Sequence, residues 1–273
     1  MSKILKRTYK DTVFKDLFGQ DFYRVQLLQA LHPEMKDIPA EDVKQITLKQ
    51  VITNHPYNDL SLLVKECLMI LLEVQSTWSV NILLRIFLYL ADTILEYLCD
   101  KSIDIHDQKQ IRLPEMEFYV IYTGKVKVPE TISLRNDFFH DPDFPLDLQA
   151  RVITAETDDI IGQYISFCHI MDAQIKSKGN TRKSIAEAVI RCEDQGILTE
   201  YLKEREKEVI DIMIMLFDQD YALEQYVKSR EENSREKGRE EERKNTEKER
   251  MRADALQQEV LRLKQQVEQL SGN

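Results

Sequence analysis

Two apolar runs, Leu60 to Val64 and Leu68 to Val74, stand only three residues apart, and that spacing constrains the fold more than any other feature of the chain. Short apolar runs of this kind read as strands buried on both faces. The connection Lys65-Glu66-Cys67 leaves no room for a crossover, so the runs must pair as an antiparallel hairpin. If the hairpin turns about Glu66, residue i faces residue 132 − i. From Thr77 to Leu98 the period changes. Ile82, Leu83, Ile86, Leu90, Ile94 and Leu98 recur at helical spacing and predict a long, mostly buried helix, with Thr77 or Ser79 as its cap. Residues 117–123 (EFYVIYT), bounded by Pro114 and Gly124, predict another strand.

The segments on either side are read the same way. Residues 9–31 place Phe14, Leu17 and Phe18 in one apolar cluster and Leu27, Leu28 and Leu31 in another, which predicts two helices broken at Gly19 and ended by Pro33. Residues 43–53 (VKQITLKQVIT) are rich in β-branched side chains and predict a strand, followed by the turn-rich Asn54-His55-Pro56-Tyr57-Asn58. Residues 129–145 read as loop, and 146–227 as helices around Ile160–Phe167, Ile185–Cys192 and Val209–Phe217. The fold class expected is α/β (α+β): a mixed central sheet flanked by helices at 1–145, a helical part of the same domain at 146–227, and a charged helix with a short coiled coil at 228–273.

Charge separates that last region from the rest. Residues 228–250 hold 9 Lys/Arg against 8 Glu and residues 251–273 hold three of each sign, which leaves −11 of the net −10 on residues 1–227. An acidic body attracts phosphates poorly at long range, so nucleic-acid binding has to come from local contacts. Beyond residue 250, Ala253, Leu256, Val260, Leu263, Val267 and Leu270 recur at intervals of 3, 4, 3, 4 and 3. β-branched residues at a with Leu at d favour a parallel dimer; the alternative is a helix folded back on its own domain. Four scattered cysteines with no CxxC pair argue against a disulfide framework or a thiolate zinc site. With no long uncharged window and no signal-like N-terminus, a cytoplasmic protein without a membrane span is expected.

The polar residues inside the apolar core carry the chemistry. Glu73 and Gln75 interrupt LMILLEVQS two residues apart, on one face of a strand. Under the 132 − i rule Asp59 lies opposite Glu73, with β-carbons about 4.5–5.5 Å apart. Two carboxylates so placed repel unless a cation lies between them. Mg²⁺ suits such a pair, since it takes one or two carboxylates together with water and phosphate oxygens. In the competing reading Glu73 pairs with a nearby Lys or Arg and Asp59 caps a turn. Were the Asp59 and Glu73 side chains on opposite faces of the sheet, or sealed from solvent, the hydrolase reading would give way to a dimerising scaffold.

The order Asp59, then Glu73-Val74-Gln75, then a helix and a strand resembles the PD-(D/E)XK nuclease core. The phrases KDTVFKDLF, YNDLSLLV, LLEVQSTWSVNILLRIFLYLADTILEYL and EFYVIYTG are similar to those of the PD-(D/E)XK nuclease family transposases, also called the Rpn family of recombination-promoting nucleases. That resemblance, over residues 9 to about 240, implies a restriction-endonuclease-like core and a Mg²⁺-dependent DNA endonuclease, with Mn²⁺ able to substitute. Asp59 and Glu73 would be the metal ligands. Gln75 would stand where the wider superfamily has lysine, orienting water without bringing charge; Lys65, Lys15 or Arg85 would supply the cation. The partners expected are DNA and a second copy joined through the C-terminal seam. The alternative is a nuclease fold without turnover, acting as a dimeric DNA- or protein-binding scaffold.

Overall fold

The computed structural model describes residues 9–46, 60–139, 141, 143–154 and 157–271. The chain divides into two compact units, Met1–Phe217 and Asp218–Asn273.

The first unit is built on a six-stranded mixed sheet. β1 (Val43–Gln45), β2 (Leu60–Val64) and β3 (Leu68–Gln75) form an antiparallel meander; helix α3 (Ile82–Asp100) then crosses to β4 (Glu115–Tyr122), which runs parallel to β3. β5 (Thr131–Ser133) and β6 (Gln149–Ile153) complete the order β1-β2-β3-β4-β6-β5. The hairpin register is the one expected. Leu60 faces Leu72 and Val64 faces Leu68, so every observed pair obeys the 132 − i rule. Lys65 and Glu66 make the turn with positive φ of 47° and 57°. Every residue of β2, and all of β3 but Gln75, is buried, as a central strand covered on both faces requires.

Alternation along β3 sorts the core into two layers. Leu68, Ile70, Leu72 and Val74 join Tyr119 and Ile121 of β4 in a core with α1 (Tyr9–Phe18), α2 (Asp21–Leu31), α4 (Ile160–Lys178) and α5 (Arg182–Asp194). Residues of the other parity face α3. Met69 and Leu71 meet Tyr89, while Val120 and Tyr122 meet Ile82, Leu83 and Ile86.

Several expectations change. The helical reading of 146–227 is overturned at its start, because Gln149–Ile153 is β6, paired with β4 and β5. Its buried Ala150 and Val152 alternate, but five residues are too short a window to compete with the helical pattern that follows. Residues 129–145 contain β5 and a π-helical turn, Arg135–Phe139, rather than loop alone. The strand expected at 43–53 is observed at Val43–Gln45, and 47–53 lie outside the described residues. Helix α3 begins after Asn81, whose side chain makes no cap bond, while Ser79, one of the two expected caps, accepts from the Asn81 N–H at 3.3 Å; α3 is buried on one face only. The break at Gly19 is where the sequence places it.

Helix α6 (Thr199–Ser271) is interrupted at Arg205, where φ is −127° and ψ 22°. Its part inside the first unit buries Tyr201, Leu202, Val209, Ile210 and Met213. In the second unit, residues 228–253 are exposed without exception, as their alternating charges anticipate. Leu256, Val260 and Leu263 of the apolar seam are 67%, 51% and 50% exposed.

Candidate functional site

Glu73 and Gln75 lie at the carboxyl end of β3, beside Val120 and Tyr122 of the parallel strand β4. Their parity puts both on the α3 side of the sheet, as the spacing of two requires. In open α/β sheets ligands bind beyond the carboxyl ends of strands, so the position is a reasonable one for a site. The loop leaving β3 returns over it. Trp78 meets the Tyr122 ring edge-on with centroids 5.6 Å apart, and Gln75 Nε2 donates to the Ser79 carbonyl at 3.4 Å. Gly124 closes the rim. A β-carbon there would lie 2.2 Å from Tyr122 Oη and 2.6 Å from the Ser76 carbonyl oxygen, so the backbone approaches this closely only without a side chain.

Glu73 is 4% exposed. Its Oε2 faces Arg85 Nη2 at 3.5 Å, across from the first turn of α3. The pairing of Glu73 with a nearby cation, one of the two readings of the sequence, is thus observed in the described structure. Arg85 is also the only one of the three proposed cation donors placed for the task. Lys65 is exposed at the hairpin tip, and even Leu68 is five residues from Glu73 along β3, about 17 Å. Lys15 belongs to α1, which packs with the opposite face of the sheet.

Asp59 lies outside the described residues, as does His55. The described chain resumes at Leu60, whose partner Leu72 directly precedes Glu73. Among the described residues no group of three His, Cys, Asp or Glu side chains gathers to hold a metal ion. The donors that are described are all oxygens. Besides the Glu73 carboxylate there is Gln75 Oε1, a buried acceptor that makes no hydrogen bond among the described residues. Carboxylate and amide oxygens suit a hard divalent cation.

One buried charge was missed by sequence reasoning. Lys10, which follows Lys3, Lys6 and Arg7 in a basic N-terminal stretch, is 5% exposed. Its Nζ lies 2.7 Å from Asp172 Oδ2 and donates to Thr123 Oγ1 at 3.3 Å. Tyr9 donates to Asp172 Oδ1 at 2.5 Å, and Tyr164 donates to the Lys10 carbonyl at 2.9 Å. Burial, with the Asp172 charge added to it, holds the Tyr9 phenol far above its ordinary range. The cluster fastens α1 to α4 and to the end of β4, on the sheet face away from Glu73. No local pattern separates Lys10 from its exposed basic neighbours; only the partner 162 residues away does.

No protein-family model, curated protein or solved structure matches the chain. Among the described residues no helix is long and apolar enough to cross a membrane.

Proposed function

We propose that the protein is a metal-dependent DNA endonuclease with a restriction-endonuclease-like core, of the recombination-promoting kind that its sequence resembles. The observation that carries this reading is the placement of Glu73 and Gln75 together on one face at the carboxyl end of β3. The element order supports it: a hairpin carrying the acid, a crossover helix and a parallel strand follow one another as the resemblance requires. Asp59 and Glu73 would hold Mg²⁺ or Mn²⁺, with Gln75 beside them. Such an ion, when bound, offsets charge on a phosphate and lowers the pKa of a coordinated water. Gln75 orients the attacking water through its amide and brings no positive charge. Arg85 supplies that charge on the same face, and in the described state it lies against Glu73. To hold such an ion Glu73 would have to release Arg85, whose guanidinium would then be free to offset phosphate charge. The exposed tail seam at Leu256, Val260 and Leu263 would join two copies in a parallel coiled coil, giving one site for each DNA strand.

Plasmid cleavage with Mg²⁺ or Mn²⁺ tests the reading. The parent is expected to cut, and Asp59→Asn and Glu73→Gln to lose at least about a hundredfold in rate, the scale of a lost catalytic group. Variants that cut as fast as the parent would remove the assignment. A second reading is favoured by one observation, the nearly complete burial of Glu73 against Arg85. It is a nuclease fold without turnover that binds DNA or protein as a dimeric scaffold. DNA binding without cleavage under either metal selects it.

A further inference from the structure

Helix α3 carries more apolar side chains than its contact with the sheet uses. Ile82, Leu83, Ile86 and Tyr89 are buried against the strands. On the other side Leu84, Phe87, Leu88 and Leu95 are 40%, 36%, 57% and 53% exposed, with Ala91 exposed among them. At 3.6 residues per turn these five fall within an arc of about 100°. Single exposed leucines are ordinary; a continuous apolar stripe three turns long marks an interaction surface.

The pattern of the stripe names its partner. Leu84, Leu88, Ala91 and Leu95 follow at intervals of 4, 3 and 4, the seam of a helix pair. Turned end for end, this series matches itself: Leu84 meets Leu95 of the second helix, and Leu88 meets Ala91, a large residue against a small one. The flanks match as well. Arg85 and Asp92 border the seam on one side, and Phe87 and Ile94 on the other. Antiparallel pairing sets Arg85 against the other copy's Asp92 twice, and Phe87 against the other copy's Ile94 twice. Parallel pairing would set each charge against an apolar flank.

We propose that α3 is the two-fold interface of a homodimer, packed antiparallel against α3 of a second copy. The surface is isologous, as a closed dimer requires. It is separate from the tail seam and does not rest on the nuclease reading, since association is read as mass and not as cleavage. A three-turn helix face is small beside the roughly 1,600 Å² of a standard interface, so the dimer dissociates on dilution.

Sedimentation equilibrium of the full chain carrying Leu256→Glu and Leu263→Glu, which breaks the tail seam, isolates this contact. A monomer–dimer equilibrium is expected to persist. Adding Leu88→Glu, or independently Leu95→Arg, weakens it by at least roughly tenfold, the effect of truncating a central anchor. Ile190→Glu, at an exposed site on α5, which packs with the other face of the sheet, leaves it unchanged. Asp92→Arg weakens association by like-charge repulsion with Arg85 of the other copy, which parallel pairing, with Asp92 beside an apolar flank, would not do. Circular dichroism of each variant separates lost association from lost folding. A strictly monomeric tail variant, or a dimer indifferent to both Leu88→Glu and Leu95→Arg, overturns the proposal.

Discussion

The two faces of the central sheet solve the problem of burying charge differently. On the face covered by α1 and α4, Lys10 is sealed at 6% side-chain exposure, but it donates to Asp172 and Thr123, and Tyr9 donates to the same Asp172. On the face covered by α3, Glu73 is equally sealed, and its Oε2 lies 3.5 Å from an arginine that is itself 36% exposed. The first arrangement locks helices together. The second holds a carboxylate beside an amide oxygen that accepts no hydrogen bond among the described residues, under a helix whose outer side is exposed. Tight satisfaction marks structure, and loose satisfaction at a strand end marks a place where something else can bind.

The largest effects are expected where packing alone is at stake. Phe14 is fully buried and stacks edge-on with Phe18 and Tyr164 at 4.7 and 5.3 Å. Phe14→Ala is expected to cost about 3–5 kcal/mol in denaturant unfolding. Leu88→Ala, on the bare side of α3, is expected to cost under about 1 kcal/mol at a concentration where the chain is monomeric. Equal losses would mean that the α3 face is covered within a single chain.

The next contrast lies inside the Lys10 cluster. Asp172→Ala strands a buried ammonium and is expected to cost about 3 kcal/mol. Lys10→Met leaves Asp172, whose side chain is 41% exposed, in reach of water and of Tyr9. That change should cost only about 1 kcal/mol, since the partly solvated acid is screened. The reverse order in urea melts would show that the lysine is hydrated in solution and that this face is not the sealed one.

A smaller, ligand-dependent effect distinguishes the other face. Arg85→Gln takes the cation from beside Glu73 and destabilises the chain. Added Mg²⁺ or Mn²⁺ should then recover more stability in this variant than in the parent, because binding to the native state alone adds RT ln(1 + [L]/Kd). Thermal unfolding with and without metal reads the difference. Identical metal responses would place the two faces on the same structural footing and leave Glu73 as a core ion pair.

How much of this was legible beforehand depends on sequence distance. The hairpin register was readable because three connecting residues leave few ways to pair two apolar runs, and the meeting of Glu73 and Gln75 on one face follows from strand parity alone. The break at Gly19 was readable from two apolar clusters of helical period. β6 was hidden because five alternating residues beside a helical pattern carry too little periodicity. The bare face of α3 was hidden for another reason. Apolar residues all round a helix predict full burial, and the sequence does not say whether a neighbour in the same chain or in another copy provides it. Arg85 was named as one donor of three; choosing it needed the fold, which sends Lys65 to the far end of the strand and Lys15 to the other face.

The mildest expectation concerns the thiols and follows from the same contrast between closed and open faces. Cys168 and Cys192 are buried in the core on the α1 and α4 side, while Cys67 and Cys99 are exposed, Cys99 at the end of α3. Burial pushes the Cys168 and Cys192 thiols up to about 12. A thiolate reagent at neutral pH should therefore label two cysteines rapidly and the other two only on unfolding. The pH dependence has a definite sign. Both folded values lie above that of an unfolded thiol, near 8.5. The contribution of these groups to stability is thus complete below that pH. It is lost progressively as the pH climbs toward 12, because only the unfolded chain releases the protons. Cys168→Ala/Cys192→Ala should flatten that alkaline decline, although at neutral pH the small cavities it opens make the chain less stable than the parent. A decline of unchanged slope would assign the alkaline loss to the buried phenols of Tyr9 and Tyr201, which burial likewise holds above their ordinary range.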